Sequence, residues 1–327
     1  MLAPFNRVPL VAVSSLLLLA IGCGDHGTAR TTSVAGSITV DTSVPPPATT
    51  TSAPAPVTPK VVAYADAESA FQAGCYDEAA QLFSAYTERK PENPWGFYML
   101  GLSSWKSGNL AQADVAFDEA LKLDPRHQKS LLNSARVLIE LGRNEEALER
   151  VQSALAVDST SAESWRVLGR TQAELGKTDE AIDALQHAIT LDDRDVWAMN
   201  NLGLIYIQQG HPEAALGPLA RATQLKPGAP VFQNNLGQAL EASGHPAAAG
   251  EAYQAALQAD STYQKASVAL ARVSARGQDS TEATVDLVTL ARDFQAGVEQ
   301  WRDSLGRDSG MARDSTPDVV SRPESEH

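Results

Sequence analysis

Apolar positions recur along this chain on two periods. Within any dozen residues they fall three and four apart, as on one face of a helix. Across the chain the whole arrangement returns every 34 residues, six times from 60 to 263, with no insertion or deletion. The stretch 94–127 serves as the pattern. Phe97, Leu100, Gly101 and Ser104 mark a first helical face. Gly108 and Asn109 stop it, since glycine accepts the left-handed conformation at a helix end. Leu110, Ala113, Phe117, Ala120 and Leu121 mark a second face. Asp124-Pro125 closes it, because the residue before a proline avoids the helical region. Each period is therefore expected to be helix, tight turn, helix, short turn.

The punctuation repeats as strictly as the hydrophobicity. Turn glycines stand at Gly74, Gly108, Gly142, Gly176, Gly210 and Gly244. Five residues later comes Ala79, Ala113, Ala147, Ala181, Ala215 or Ala249. Four further on comes a large apolar residue: Phe83, Phe117, Val151, Leu185, Leu219 or Tyr253. Gly101, Gly169, Gly203 and Gly237, with Ala67 and Ala135, sit where the first helix must come close to the second. A larger side chain there would overpack by about 1–3 kcal/mol. One helix pair cannot bury its apolar face alone, whereas stacked neighbours bury a continuous core and need polar ends.

These residues carry a resemblance to the tetratricopeptide repeat. One copy shows it as Leu202-Gly203, Tyr206, Gly210, Ala215, Ala222 and Pro227, another as Leu100-Gly101, Gly108, Ala113, Phe117, Ala120 and Pro125. The expected fold class is all-α: an α-solenoid of six such repeats (60–93, 94–127, 128–161, 162–195, 196–229 and 230–263) followed by C-terminal capping helices over 264–305. The first copy departs most, with Asp66 where leucine is usual, and is expected to be the N-terminal cap.

The two ends read differently. Residues 1–22 resemble an export signal: Arg7 supplies charge and 10–21 is a short apolar run, below the ~20 residues a finished membrane helix needs. The run ends Leu19-Ala20-Ile21-Gly22-Cys23, similar to a bacterial lipobox, with Ala20 where leucine is usual. Cys23 is the expected lipidation site; the alternative is an ordinary signal peptide with Cys23 incidental. Residues 23–59, rich in Thr, Ser and Pro, read as a tether reaching about 30–35 Å. With Cys23 given to lipid, Cys75 is left alone and no internal disulfide is expected. After 263, residues 264–275 read as a seventh first helix. The stretch 281–305 reads as one amphipathic helix whose stripe is Leu287, Leu290, Ala291, Phe294, Val298, Trp301 and Leu305, opened by Asp279 and Glu282 as a capping pair. It is expected to cover the open end of the stack; the alternative is oligomerisation or a partner helix. Residues 306–327 are polar and expected to lack structure.

Charge narrows the partners. The chain stands at −14 with no basic stripe, which argues against nucleic acid. His211-Pro212 and His245-Pro246 recur because proline suits the first turn of a helix, and no second ligand accompanies them, so no metal is expected. Asp192-Asp193-Arg194-Asp195 reads as a solvated inter-repeat turn. No cofactor loop or nucleophile elbow is present, and no segment outside the repeats is long enough for a catalytic domain, so no enzyme activity and no cofactor are expected.

The resemblance implies that the first helices line a concave groove through their positions 2, 5, 6, 9, 12 and 13. Those positions give Tyr64, Phe71, Trp95, Tyr98 and Trp105; then Lys129, Asn133, Arg136, Arg166 and Arg170; then Trp197, Asn200, Asn201, Ile207, Asn234, Asn235 and Gln238. The groove is expected to run from aromatic to basic to amide-rich. Aromatics serve as binding anchors, arginines pair with carboxylates, and asparagines read an extended backbone. The alternative is that Trp95 and Trp105 pack on neighbours and that asparagine before Leu-Gly belongs to the repeat itself. Two functions fit. One is an adaptor, lipid-anchored to a bacterial membrane and facing the periplasm or exterior (inner or outer membrane left open), binding protein or peptide ligands such as acidic or C-terminal tails. The other is a substrate-presenting arm of an envelope glycosyltransferase or peptidoglycan complex. Arg166→Glu with Arg170→Glu is expected to leave melting unchanged and weaken binding.

Overall fold

A computed structural model of the chain describes residues 63–275 and 283–313. The expected signal, Cys23, the tether, the Asp279/Glu282 pair and the last residues, 314–327, lie outside the described residues. Among the described residues the fold is fourteen helices and no strand. They pair as α1 (Tyr64–Gln72) and α2 (Tyr76–Arg89); α3 (Pro94–Lys106) and α4 (Leu110–Leu123); α5 (Gln128–Glu140) and α6 (Asn144–Val157). The series continues with α7 (Ala162–Glu174) and α8 (Thr178–Leu191); α9 (Val196–Gln208) and α10 (Pro212–Leu225); α11 (Pro230–Ala242) and α12 (Pro246–Ala259). A seventh first helix, α13 (Gln264–Ala275), and a long α14 (Leu287–Arg313) complete the chain.

Each helix end has a local cause. The turn glycine has positive φ in every repeat, for example +86° at Gly108, a conformation that side chains with a Cβ avoid. Pro94, Pro212, Pro230 and Pro246 occupy first helical turns, where no N–H partner is lost. Between repeats, Asp124, Asp158, Asp192 and Asp260 fold their carboxylates onto the backbone N–H two residues on, at 2.9–3.0 Å.

Packing within a repeat sets a small residue against a large one. A Cβ on Gly101 would lie 2.7 Å from the Phe117 ring, and one on Gly203 would lie 2.5 Å from Leu219 Cγ. The large partners, from Phe83 to Tyr253, are wholly buried in all six repeats. Successive first helices, from α3 to α13, touch one another directly, while successive second helices do not come as close. The stack is therefore shorter along its first helices, which makes that side the inner one.

The C-terminal helix departs from expectation in three ways. It begins at Leu287, not near 281, and Asp286 caps it, accepting from Val288 and Thr289 N–H at 3.1 and 3.0 Å. It continues to Arg313, so 306–313 are helical: once a helix is nucleated, each further residue adds a hydrogen bond at little cost. And it runs back along the outer side over α10 and α8. Phe294, Val298 and Trp301 pack into the core of repeats four and five, and Leu287 and Leu290 into that of repeats five and six. The stripe, expected to cover the open end of the stack or alternatively to serve oligomerisation, instead packs through Phe294, Val298 and Trp301 on the outer side of the repeats. Gly217 makes room for it, since a Cβ there would lie 3.2 Å from Phe294 Cβ.

Cys75 is disulfide-bonded, which corrects the expectation of a lone thiol. Its partner lies outside the described residues.

Candidate functional site: the inner helix face

The first helices carry the predicted groove residues, and the structure sorts them by position in the repeat. Position 2 is open to solvent in repeats two to five, while Val231 of the sixth is half-buried. Trp95 and Trp197 occupy it in repeats two and five and are 46% and 44% exposed. Lys129 and Glu163, exposed, fill the same position in the two repeats between. Trp95 is propped edge-on against Tyr98 and His127, with centroids 5.6 and 4.6 Å away, and Lys129 Nζ lies 5.5 Å over its ring. Trp197 stands edge-on to the buried Phe232 ring at 4.9 Å. Both indoles are held by the protein and keep surface free.

Positions 5 and 6 turn out to join repeats, not to face a ligand. Asn235 Nδ2 donates to Asn200 Oδ1 at 2.8 Å, and Asn234 Nδ2 to Asn235 Oδ1 at 3.2 Å. Asn200, Asn234 and Asn235 are all buried. Asn133, also buried, donates to the Tyr98 hydroxyl at 3.4 Å and accepts from Arg136 at 2.8 Å. Burial pushes the Tyr98 hydroxyl above its ordinary pKa, so it stays a neutral partner. Asn201 alone of the set is half-exposed. The Asn234 side-chain carbonyl oxygen has no donor among the described residues.

The basic stretch is neutralised by the protein's own carboxylates. Arg136 pairs with Glu163 at 2.6 Å; Arg166 pairs with Asp195 at 2.8 Å and approaches Glu163 at 3.8 Å. Burial pushes the Glu163 carboxyl up, but the Arg136 guanidinium outweighs it and holds the pKa below the usual range. Arg170 is half-buried and makes no ion pair among the described residues. Arg166 therefore cannot be reversed in charge without cost. Its loss leaves Asp195, whose side chain is 9% exposed, without its cation, so the expectation of unchanged melting for Arg166→Glu with Arg170→Glu is corrected.

At the aromatic end, Tyr64 packs edge-on against Phe83 and Tyr86 at 5.4 Å each and belongs to the core, as does the half-buried Phe71. Trp105 is half-buried and donates from Nε1 to Glu140 at 3.1 Å. Sequence reasoning missed Glu140, Glu163 and Asp195 as partners and His127 as the prop of Trp95. The signal was present: Tyr98–Asn133, Asn200–Asn235 and Trp105–Glu140 are each 35 apart, one period plus one residue. The Asp192–Asp195 cluster is likewise more than a wetted turn. Asp195 caps α9 through Trp197 and Ala198 N–H at 3.0 Å, while Asp193 meets Arg302 and Gln295 of α14 at 3.6 and 3.5 Å.

Among the described residues no cluster of His, Cys, Asp or Glu could hold a metal, and no helix is long and apolar enough to cross a membrane. The inner face offers exposed aromatic anchors and mostly satisfied polar groups, which suits binding.

Comparison with known proteins agrees with this geometry. Residues 104–170 and 200–264 match families described as tetratricopeptide repeat, and 169–210 match one described as TPR repeat. Human tetratricopeptide repeat protein 7B is 34% identical over 94 residues; the match covers 29% of this chain and 10% of that protein. The match thus spans about a tenth of the length of that curated relative. Among solved structures, a tetratricopeptide repeat protein from Parabacteroides merdae superposes with a TM-score of 0.58 at 15% identity, covering 67% of this chain and 86% of its own. TTC0263, a TPR protein of Thermus thermophilus, gives 0.51 at 22% identity, covering 56% and 100%. The Pseudomonas aeruginosa protein pilF gives 0.50 at 23% identity, covering 67% and 93%.

Proposed function

Residues 104–264 of this chain belong to the tetratricopeptide-repeat family, and on that premise we propose that the chain is a non-catalytic adaptor whose inner helix face binds an extended segment of a protein partner. The observation that carries the reading is the pair of propped, half-exposed indoles, Trp95 and Trp197, at the same repeat position three repeats apart. Rigid aromatics with free surface are the residues on which binding energy concentrates. Lys129 and Glu163 between them offer charges of both signs, so the ligand is a mixed-charge segment with apolar or aromatic residues at its two ends.

The test is a cross-linked pull-down from the native envelope, comparing the parent with Trp95→Ala plus Trp197→Ala. A short list of partners lost in the variant, at unchanged helicity, supports the adaptor. A list unchanged in the variant sinks the inner-face site. A diffuse capture of many envelope proteins would favour the substrate-presenting arm.

We also propose export and lipid anchoring at Cys23, supported by the charged start, the short apolar run and the Leu19 to Cys23 sequence. A thioether on Cys23 and a disulfide within one chain exclude each other, because the sequence holds two cysteines. Mass spectrometry of the mature protein decides between them: a diacylated N-terminal cysteine establishes anchoring, and an unlipidated chain with Cys75 oxidised refutes it.

A further inference from the structure

Where α14 leaves α10 and crosses toward α8, it encloses a cleft of about 430 Å³ between α7, α8 and its own far end. That volume lies in the range of small-ligand sites. The cleft is on the outer side, away from the peptide face. Its walls come from three elements. Trp165 and Gln172, seven apart, look out from one face of α7; Glu180, Asp183 and His187 look out from one face of α8; Trp301 closes the cleft from α14.

The chemistry of the walls has one sign. Among the described residues no lysine or arginine lines the cleft. The nearby Arg302 is turned to the Thr190 carbonyl and Asp193. Glu180 and Asp183 are exposed and have no cationic partner among the described residues. Trp165 is fixed in place, donating from Nε1 to the Ser159 carbonyl at 2.8 Å and lying 4.2 Å from the His187 ring. Gln172 Oε1 is buried and has no donor among the described residues.

We propose that this cleft binds a primary alkylammonium ion, the chemistry shared by a free amine and a lysine side chain. The two indoles attract the cation through their faces and cover its stem, and the carboxylates of Glu180 and Asp183 compensate its charge. Burial also lowers the His187 pKa, so that ring stays uncharged at neutral pH and does not compete with the cation.

The experiment is a tryptophan-fluorescence titration of the full chain with butylammonium chloride, with butanol as the neutral isostere and with acetyl-lysine amide. Butylammonium is expected to bind about tenfold or more tightly than butanol. Glu180→Gln with Asp183→Asn, both exposed, is expected to remove most of that preference at unchanged circular dichroism. Trp301→Ala should also abolish binding, but it loosens α14, so the charge variant decides. Equal binding of butylammonium and butanol, or undiminished preference in the charge variant, overturns the proposal. If acetyl-lysine amide binds more tightly than butylammonium, the ligand is a peptide lysine; if more weakly, it is a free amine.

Discussion

At the scale of single residues, stability rests on the small-against-large pairing inside each repeat. Gly203 faces Leu219 with no room for a Cβ, and Leu219 is wholly buried. Gly203→Ala is expected to destabilise the fold by about 1–3 kcal/mol. A surface glycine such as Gly228, with open space around a Cβ, should tolerate alanine, and urea denaturation separates the two. His127 gives a pH prediction. It caps α5 as an uncharged acceptor, taking the Ser130 N–H at 3.2 Å, and burial depresses its pKa below the ordinary 6.5. The unfolded chain therefore takes up a proton first as pH falls. The stabilisation is full above pH 6.5, declines as pH drops toward the folded value and is then spent. His127→Asn keeps a capping acceptor that does not titrate, and should flatten the melting-temperature loss between neutral and mildly acid pH; His187, shifted in the same sense, keeps part of it. Arg166→Glu with Arg170→Glu should lower stability by about 1–3 kcal/mol, read in the same denaturation series, because Asp195 loses its partner. The pairing of sizes was legible because it repeats in register. The fate of the asparagines was not. An asparagine offered to a ligand and one spent on the next repeat look alike within a single period, and only the 35-residue offset between Asn200 and Asn235 tells them apart.

At the scale of elements, the turn glycines and prolines declared nearly every helix end from α3 to α12, since each stop is local chemistry. The helix at 287–313 was legible as an amphipathic stripe, but its berth was not. Gln295 meets Asp193 and Arg302 meets Thr190 across separations of 102 and 112 residues, and no periodicity marks such a contact. Its attachment is mainly apolar. Phe294→Ala should cost about 1–3 kcal/mol for a half-buried ring. Arg302→Ala should cost less than about 1 kcal/mol, because that ion pair is half-exposed and screened by salt. Hydrogen exchange on the two variants checks the order: α14 amides should lose protection in the first and keep it in the second.

At the scale of the whole molecule, the repeats touch mainly their neighbours, so stability is close to a sum of repeat and interface terms. Polar links reinforce those interfaces. Arg143 reaches back to Asp114, Arg150 to Asp118 at 2.6 Å, and Arg272 to Glu241 at 2.6 Å. The first and second halves are nevertheless not equivalent, because α14 is laid over α8 and α10 and returns the chain's far end to repeat four. Such a molecule should respond unevenly to a mechanical load. Stretched between its termini in an optical trap, the N-terminal repeats should peel away in small, regular steps. The segment bracketed by Thr190 and Arg302 should hold until α14 slides off and then release together, lengthening the tether by up to roughly 400 Å in one event. The crossing helix would then act as a clasp that keeps the C-terminal repeats closed under tension while the N-terminal ones extend.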